Sequence, residues 1–239
     1  MKTEQKIAVL TYQSKHRKTY DTLCLLKAKG YQAVFVYASP FHYKKKYKPL
    51  FEHRPSVMEG MPSVREQCLN FGYTYVEGEL EEFDIPSDYI VLICGAGILP
   101  DDFVTSHMII NSHPGYLPNC RGLDAYKWAI YEGEPIGVTT HFLGKEIDAG
   151  KVIDRTCIAI EEGDTIHTLA RKVYETEISL LVSAVGASEN SCLDISSPKY
   201  PVHKRMPREY EEQLFTLFDK RKKLELKKEK ELASKTGRG

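Results

Sequence analysis

Three apolar runs constrain this chain most. Residues 6–12 (KIAVLTY), 33–38 (AVFVYA) and 88–95 (DYIVLICG) are continuous rather than alternating, and β-branched residues recur in them. Strands of that kind are buried on both faces, as happens in parallel sheets covered by helices. Between the first two runs, Thr19 or Asp21 can cap a helix reaching about Lys29. Leu23, Leu25, Leu26 and Ala28 are available for its buried face, and Gly30 is placed to end it. Strand, helix and strand within about thirty residues form a βαβ unit, so a parallel sheet begins here.

The remaining pattern extends that sheet. Residues 63–71 read as a helix ended by Gly72, 73–76 as a short strand and 80–87 as an acidic loop. Pro100-Asp101-Asp102 can open a short helix with its acidic groups at the positive end. Residues 108–113 form the next strand, and 122–132 a helix able to bury Leu123, Trp128 and Ile130. The runs 135–143 and 151–160 are strands, and Asp148-Ala149-Gly150 in the turn between them predicts a hairpin. Asp164 or Thr165 caps a long helix to about Val185. The expected class is α/β: a mostly parallel sheet flanked by helices, with a β-hairpin. Residues 1–186 are expected to form a catalytic domain and 187–239 a charged helical extension. There Leu214, Phe215, Leu217 and Phe218 are available to the core or to a second subunit, which would make a homodimer.

Composition narrows the partners. Lys and Arg together number 33 and Asp and Glu together 33, so the balance is neutral and implies no global attraction to nucleic acid or anionic membrane. Any anionic ligand must be met by local basic groups. The start, Met1 to Lys6, has no apolar leader, and no run approaches the ~18–20 apolar residues of a membrane span. Six scattered cysteines (24, 68, 94, 120, 157, 192) include no CxxC pair, which favours reduced thiols in a cytoplasmic protein over disulfides or a zinc site. Most are expected in the core, with Cys120 in a polar loop. Residues 40–62 are basic, aromatic and proline-punctuated, and read as a long loop. Such a loop is either a solvated excursion or a lip over the site that offers Tyr, His and Lys or Arg to an anion.

Chemistry concentrates in residues 109–150. Asn111 and His113 lie two apart at a strand end, so both side chains project from the same face. An amide donor beside an imidazole suits an acyl-type tetrahedral intermediate: the amide stabilises the oxyanion and the imidazole moves a proton. Asp148, one helix and one strand later, supplies a carboxylate to orient the imidazole or take up a proton. No Ser or Cys stands where a nucleophile would be recognisable, which points to direct attack by a substrate amine.

Asn-x-His-Pro, then Gly-Tyr-Leu-Pro, Arg-Gly and Ile-Asp-Ala-Gly resemble the formyltransferases that use N10-formyltetrahydrofolate. The resemblance covers about residues 89–185, with three separated blocks in the right order, and more weakly the first βαβ unit. It implies a Rossmann-like sheet and catalytic roles for Asn111, His113 and Asp148. It also implies a donor pocket built largely from backbone at Gly97, Ile98 and Leu99 and at Gly144, Lys145 and Ile147. Tyr12, Arg17, Lys18 and Arg121 are the expected contacts to the acceptor and its phosphates. No metal is implied.

Two departures bear on the acceptor. The turn after the first strand, Thr11 to Lys18, contains no glycine, unlike the phosphate turn of glycinamide ribonucleotide formyltransferases. The roughly fifty residues after Val185 are too few for the nucleic-acid-binding domain of methionyl-tRNA formyltransferases. What remains resembles the short nucleotide-sugar N-formyltransferases, implying formylation of a nucleotide-linked amino sugar in surface-polysaccharide or O-antigen synthesis. A glycinamide ribonucleotide acceptor, a non-catalytic ligand-binding relative and a dinucleotide-dependent oxidoreductase are the alternatives. The missing GxGxxG after the first strand counts against the last.

Overall fold

The computed structural model describes residues 5–41, 48–55, 58–144, 147–148, 150–187, 192–195 and 200–235. Strands β1 (Ile7–Tyr12) and β2 (Val34–Ser39) flank helix α1 (Arg17–Ala28), as the βαβ reading predicts. Helix α1 starts earlier than expected, with His16 in extended conformation at its N-cap in place of Thr19 or Asp21. Thr19 is instead buried, sharing a short hydrogen bond with Thr11 at the end of β1. Helix α2 (Val64–Phe71) is opened by a capping box, in which Ser63 accepts from the Glu66 amide and Glu66 reaches back to the Ser63 backbone. Gly72, at φ 70°, closes it in the left-handed conformation that glycine adopts without steric cost.

The chain continues through β3 (Thr74–Glu77), β4 (Ile90–Ile93), α3 (Asp101–Ser106) and β5 (Met108–His113). These strands pair in parallel in the order β3-β2-β1-β4-β5. The sheet then changes direction. Strands β7 (Gly137–Leu143), β8 (Gly150–Cys157) and β9 (Leu193–Asp194) add to β5 in antiparallel fashion. The hairpin joining β7 and β8 is the predicted one. It carries Asp148 back beside the carboxyl end of β5.

Between β5 and β7, the two-residue strand β6 (Arg121–Gly122) precedes helix α4 (Ala125–Glu132). The sequence places a helix start at Gly122, whereas Gly122 is in strand and Leu123 is half exposed. Asp124, at φ 55°, turns the chain into the helix. Strand β6 pairs in parallel with β10 (Val202–His203), so the C-terminal segment lies against the start of α4. Trp128 stacks on His203, with ring centroids 4.7 Å apart and planes 13° from parallel.

Helix α5 (Ile166–Ser183) is capped by Thr165 and packs on the strand side of the sheet through Leu169, Val173, Leu181 and Val182. Helix α6 (Arg208–Lys235) follows Pro207. Its Leu214 and Phe218 are buried in a core shared with Ala129 and Ile130 of α4 and Ile166 and Val173 of α5. That core resolves the alternatives for these two side chains; Phe215 stays partly exposed. A fully buried ion pair ties the helix down, because Lys127 Nζ lies 2.5 Å from Glu211 Oε1. Removing one partner of such a pair typically costs about 3–5 kcal/mol, because the other charge is left buried without compensation. Cys120 is fully buried rather than in a polar loop, and burial pushes its thiol up to about 12. Cys157 is exposed. Among the described residues no helix is long and apolar enough to cross a membrane.

Candidate active site

Strands β1, β4 and β5 end on one rim, where β1 separates neighbours reached by opposite crossovers. Ligands of open α/β sheets bind at such a switch point. The rim opens into a cleft of about 840 Å³, lined by the ends of β1, β4 and β5, the hairpin turn, the start of α4 and the segment 202–205. Asn111, His113 and Asp148 all face it.

His113 is held from both sides. Its Nε2 donates to the Cys120 carbonyl at 2.8 Å, and its Nδ1 lies 3.4 Å from Asp148 Oδ1. The carbonyl fixes the tautomer: in the neutral ring Nδ1 carries the lone pair, and in the protonated ring Nδ1–H points at the carboxylate. Gly115 makes room for this. A Cβ there would come within 2.6 Å of both His113 Nε2 and the Cys120 carbonyl, and within 2.7 Å of the Ala125 side chain.

Asp148 occupies the left-handed region at φ 47°, which costs a non-glycine residue roughly 1–2 kcal/mol. Two contacts hold it there. The Gly122 amide donates to Asp148 Oδ2 at 2.7 Å, and Arg121 donates from Nε and Nη2 to the neighbouring Ile147 carbonyl at 3.1 and 2.5 Å. Arg121 also reaches the Tyr200 carbonyl and is buried. It was expected at a phosphate. Its guanidinium instead shapes the turn that carries the carboxylate.

The sequence reading missed His141. It sits opposite Asn111 in the β5–β7 pairing and is completely buried. Its Nδ1 donates to the Phe142 carbonyl at 3.2 Å, leaving Nε2 to accept from Asn111 Nδ2 at 3.5 Å. That bond turns the amide nitrogen of Asn111 to a defined side. Burial is the main reason His141 is lowered to about 4, so it is neutral near pH 7. A lone histidine inside the run VTTHFL was the available signal.

A second polar group lines the same cleft, around Glu177 of α5. Lys18 Nζ is 2.7 Å and Arg54 Nη2 3.3 Å from Glu177 Oε1, and His53 Nε2 is 3.1 Å from Oε2. Lys18 also donates to the Ser112 carbonyl, between Asn111 and His113 in β5. Burial alone would raise the Glu177 carboxyl, but the Lys18 and Arg54 cations and the His53 bond hold it well below its ordinary range. Arg54 Nη1 lies 3.2 Å from His16 Nε2, and burial together with the Arg54 and Lys18 charges lowers His16 to about 3. Burial lowers His53 as well, and two cations, Lys18 and Arg54, face the one Glu177 carboxylate. Arg54 and His53 belong to the basic loop whose lip reading anticipated such groups. Residues 42–47 and 56–57 of that loop lie outside the described residues.

The other expected contacts divide. Tyr12 and Lys18 line the cleft. Arg17 turns away to Asp21 Oδ2 at 2.8 Å, on a groove between α1 and α5. Ile98 and Ile147 are on the cleft wall and largely exposed, as an apolar lip. Gly97 is exposed beside Ile98. Leu99 is buried in the core beneath, so its side chain does not reach the cleft. Gly144 ends β7 next to Gly150, and Lys145 lies outside the described residues.

Half-buried His16 and buried His141 make stability pH-dependent. Their ordinary value is near 6.5, and His16 and His141 fall to about 3 and about 4 in the fold. Between those limits the unfolded chain takes up protons that the folded chain refuses. Stability therefore falls as pH drops from about 6.5 toward about 4, by up to about 1.4 kcal/mol per pH unit for each histidine. The melting temperature should be lower at about pH 5 than at about pH 7.5, with a shallower dependence in His16→Asn. An unchanged melting temperature would contradict this.

An amide, an imidazole and a carboxylate converge on a cleft at the carboxyl ends of a parallel sheet, a set suited to group transfer without a protein nucleophile. Residues 70–185 match the formyl transferase family model. The trifunctional purine biosynthetic protein adenosine-3 of Gallus gallus is 38% identical over 108 residues, 43% of this chain. The chain spans only 10% of that protein's length. Among solved structures, a 4-N formyltransferase from Francisella tularensis aligns with TM-score 0.56 and 17% identity over 83% of this chain and 76% of its own. The sugar 3N-formyl transferase WlaRD, solved in the presence of dTDP and 5-N-formyl-THF, aligns with TM-score 0.60 and 16% identity over 84% of this chain and 70% of its own. At these identities the likeness is one of fold.

Proposed function

We propose that the chain transfers the formyl group of N10-formyltetrahydrofolate to the amine of a nucleotide-linked amino sugar. The observation that carries this reading is the convergence of Asn111, His113 and Asp148 on one cleft, which Lys18 and Arg54 also line. The apolar lip of Ile98 and Ile147 offers a surface for the flat pteridine-like part of the donor, and the Lys18/Arg54 pair suits an anionic acceptor.

The roles follow from position. The neutral amine attacks the formyl carbon, and the formyl oxygen gains charge. Asn111 Nδ2–H is the donor for that oxyanion, and the positive charge of a protonated His113, its Nδ1–H toward Asp148, stabilises it electrostatically. Asp148 Oδ1, beside His113, takes up the proton released by the attacking amine. Collapse breaks the bond from the formyl carbon to N10, which takes the proton held by Asp148 and leaves as tetrahydrofolate.

A glycinamide ribonucleotide acceptor is the second reading, favoured by the sequence identity to the purine biosynthetic protein. One assay separates them. Tetrahydrofolate release is followed with N10-formyltetrahydrofolate and, in turn, dTDP-, UDP-, GDP- and CMP-linked amino sugars or glycinamide ribonucleotide. Release that depends on one of the amino sugars is expected. Release with glycinamide ribonucleotide alone, or equal release with no acceptor, overturns the sugar reading.

A further inference from the structure

Loop residues 48–55 reach the cleft, but nothing in their own sequence explains why they stay there. They bring His53 and Arg54 to Glu177 from outside the sheet. Their anchor is remote. The Leu50 amide donates to Glu211 Oε2 at 2.9 Å, across more than a hundred residues, while Glu211 Oε1 holds Lys127. Glu211 is completely buried on α6. The next residue, Phe51, is buried in the core shared by α4, α5 and α6, and the Lys127 ammonium sits 4.9 Å above its ring. His53 then packs on Tyr126 of α4 with centroids 5.4 Å apart. One carboxylate of the C-terminal helix thus fastens both α4 and the segment that delivers the cleft's cation.

We infer that Glu211 is a positioning residue: through the Leu50 amide it sets where Arg54 and His53 stand, and so how the acceptor's anionic end is held. The C-terminal helix is then a working part of the acceptor site, although it contributes no side chain to the cleft. This rests on the proposed reading for the identity of the acceptor, but not for the clasp itself.

The experiment separates the amide contact from the charge pair. In Lys127→Met/Glu211→Gln, the pair is gone without leaving a buried charge, yet the Gln carbonyl can still accept from Leu50. In Lys127→Met/Glu211→Met, the volume is kept and the acceptor is lost. Amide hydrogen exchange over residues 48–55 is measured in both, with β1 and β5 as internal references, and KM is measured separately for N10-formyltetrahydrofolate and the amino sugar that it formylates. The Met/Met variant should exchange at least about tenfold faster in 48–55 only and raise the acceptor KM about tenfold, with the donor KM unchanged. The Met/Gln variant should stay near the parent. Unchanged exchange in 48–55, exchange that rises equally in the reference strands, or donor and acceptor KM rising together would overturn the inference. Should no amino sugar be formylated by the parent, the acceptor reading fails, while the exchange comparison still decides the clasp.

Discussion

Asn111→Ala should lower turnover by roughly 10²–10³ while the protein stays folded. The side chain is half-buried at the end of β5, and its removal leaves no charge without a partner. What disappears is a donor whose direction is set by His141 Nε2, 3.5 Å away. A donor used chiefly when the oxyanion forms affects kcat and kcat/KM alike and leaves the donor KM nearly unaltered. Circular dichroism and melting temperature establish folding, and tetrahydrofolate release measures the rate. Turnover within about threefold of the parent would remove Asn111 from the mechanism.

Gly115→Ala is expected to be comparably harmful, although residue 115 takes no part in the chemistry. Its added methyl meets the His113 ring, the Cys120 carbonyl and Ala125 at distances no real Cβ contact shows. Two of those three neighbours are the ring and the backbone acceptor that fixes its tautomer, so the ring must move or its hydrogen bond must break. A displacement of about 1 Å at a reacting group can cost about 10² in rate. Gly163→Ala is the control, because it lies away from the cleft and a Cβ there meets nothing within 4 Å. Equal activity in the two variants would show that His113 needs no such enforced position.

Both experiments concern residues legible in the sequence. Asn111, His113 and Asp148 could be placed together because β5 and the hairpin are written in strongly patterned strands, and strand alternation puts positions 111 and 113 on one face. The central strands were readable for the same reason. The boundaries failed where a single polar residue competed with pattern: His16 rather than Thr19 starts α1, and Asp124 starts α4 after a stretch that resembles helix but forms β6. The polar group around Glu177 was less legible because its parts lie far apart in the chain. Glu177 stands on the apolar face of α5, beside Val173, Ile178 and Leu181, and a carboxylate at such a position needs buried cations. That signal was present but unused. Arg121 and Arg17 show the converse. Basic residues near a motif look like anion contacts, yet a carbonyl cluster and a neighbouring Asp engage them. No pattern along the chain distinguishes those outcomes, since each depends on which polar atoms the fold brings near.

The reversal of strand direction after β5 has one more consequence. It returns the chain to the rim at once, so every group assigned to bond-making comes from one uninterrupted stretch, residues 111–148. The groups proposed to face the acceptor come from four distant places: Lys18, Arg54, Glu177 and the segment 202–205. Heredity and engineering can therefore act on them independently. Under the proposed function, libraries confined to positions 53–54 and 202–205 would alter which amine is chosen and leave the reaction itself intact.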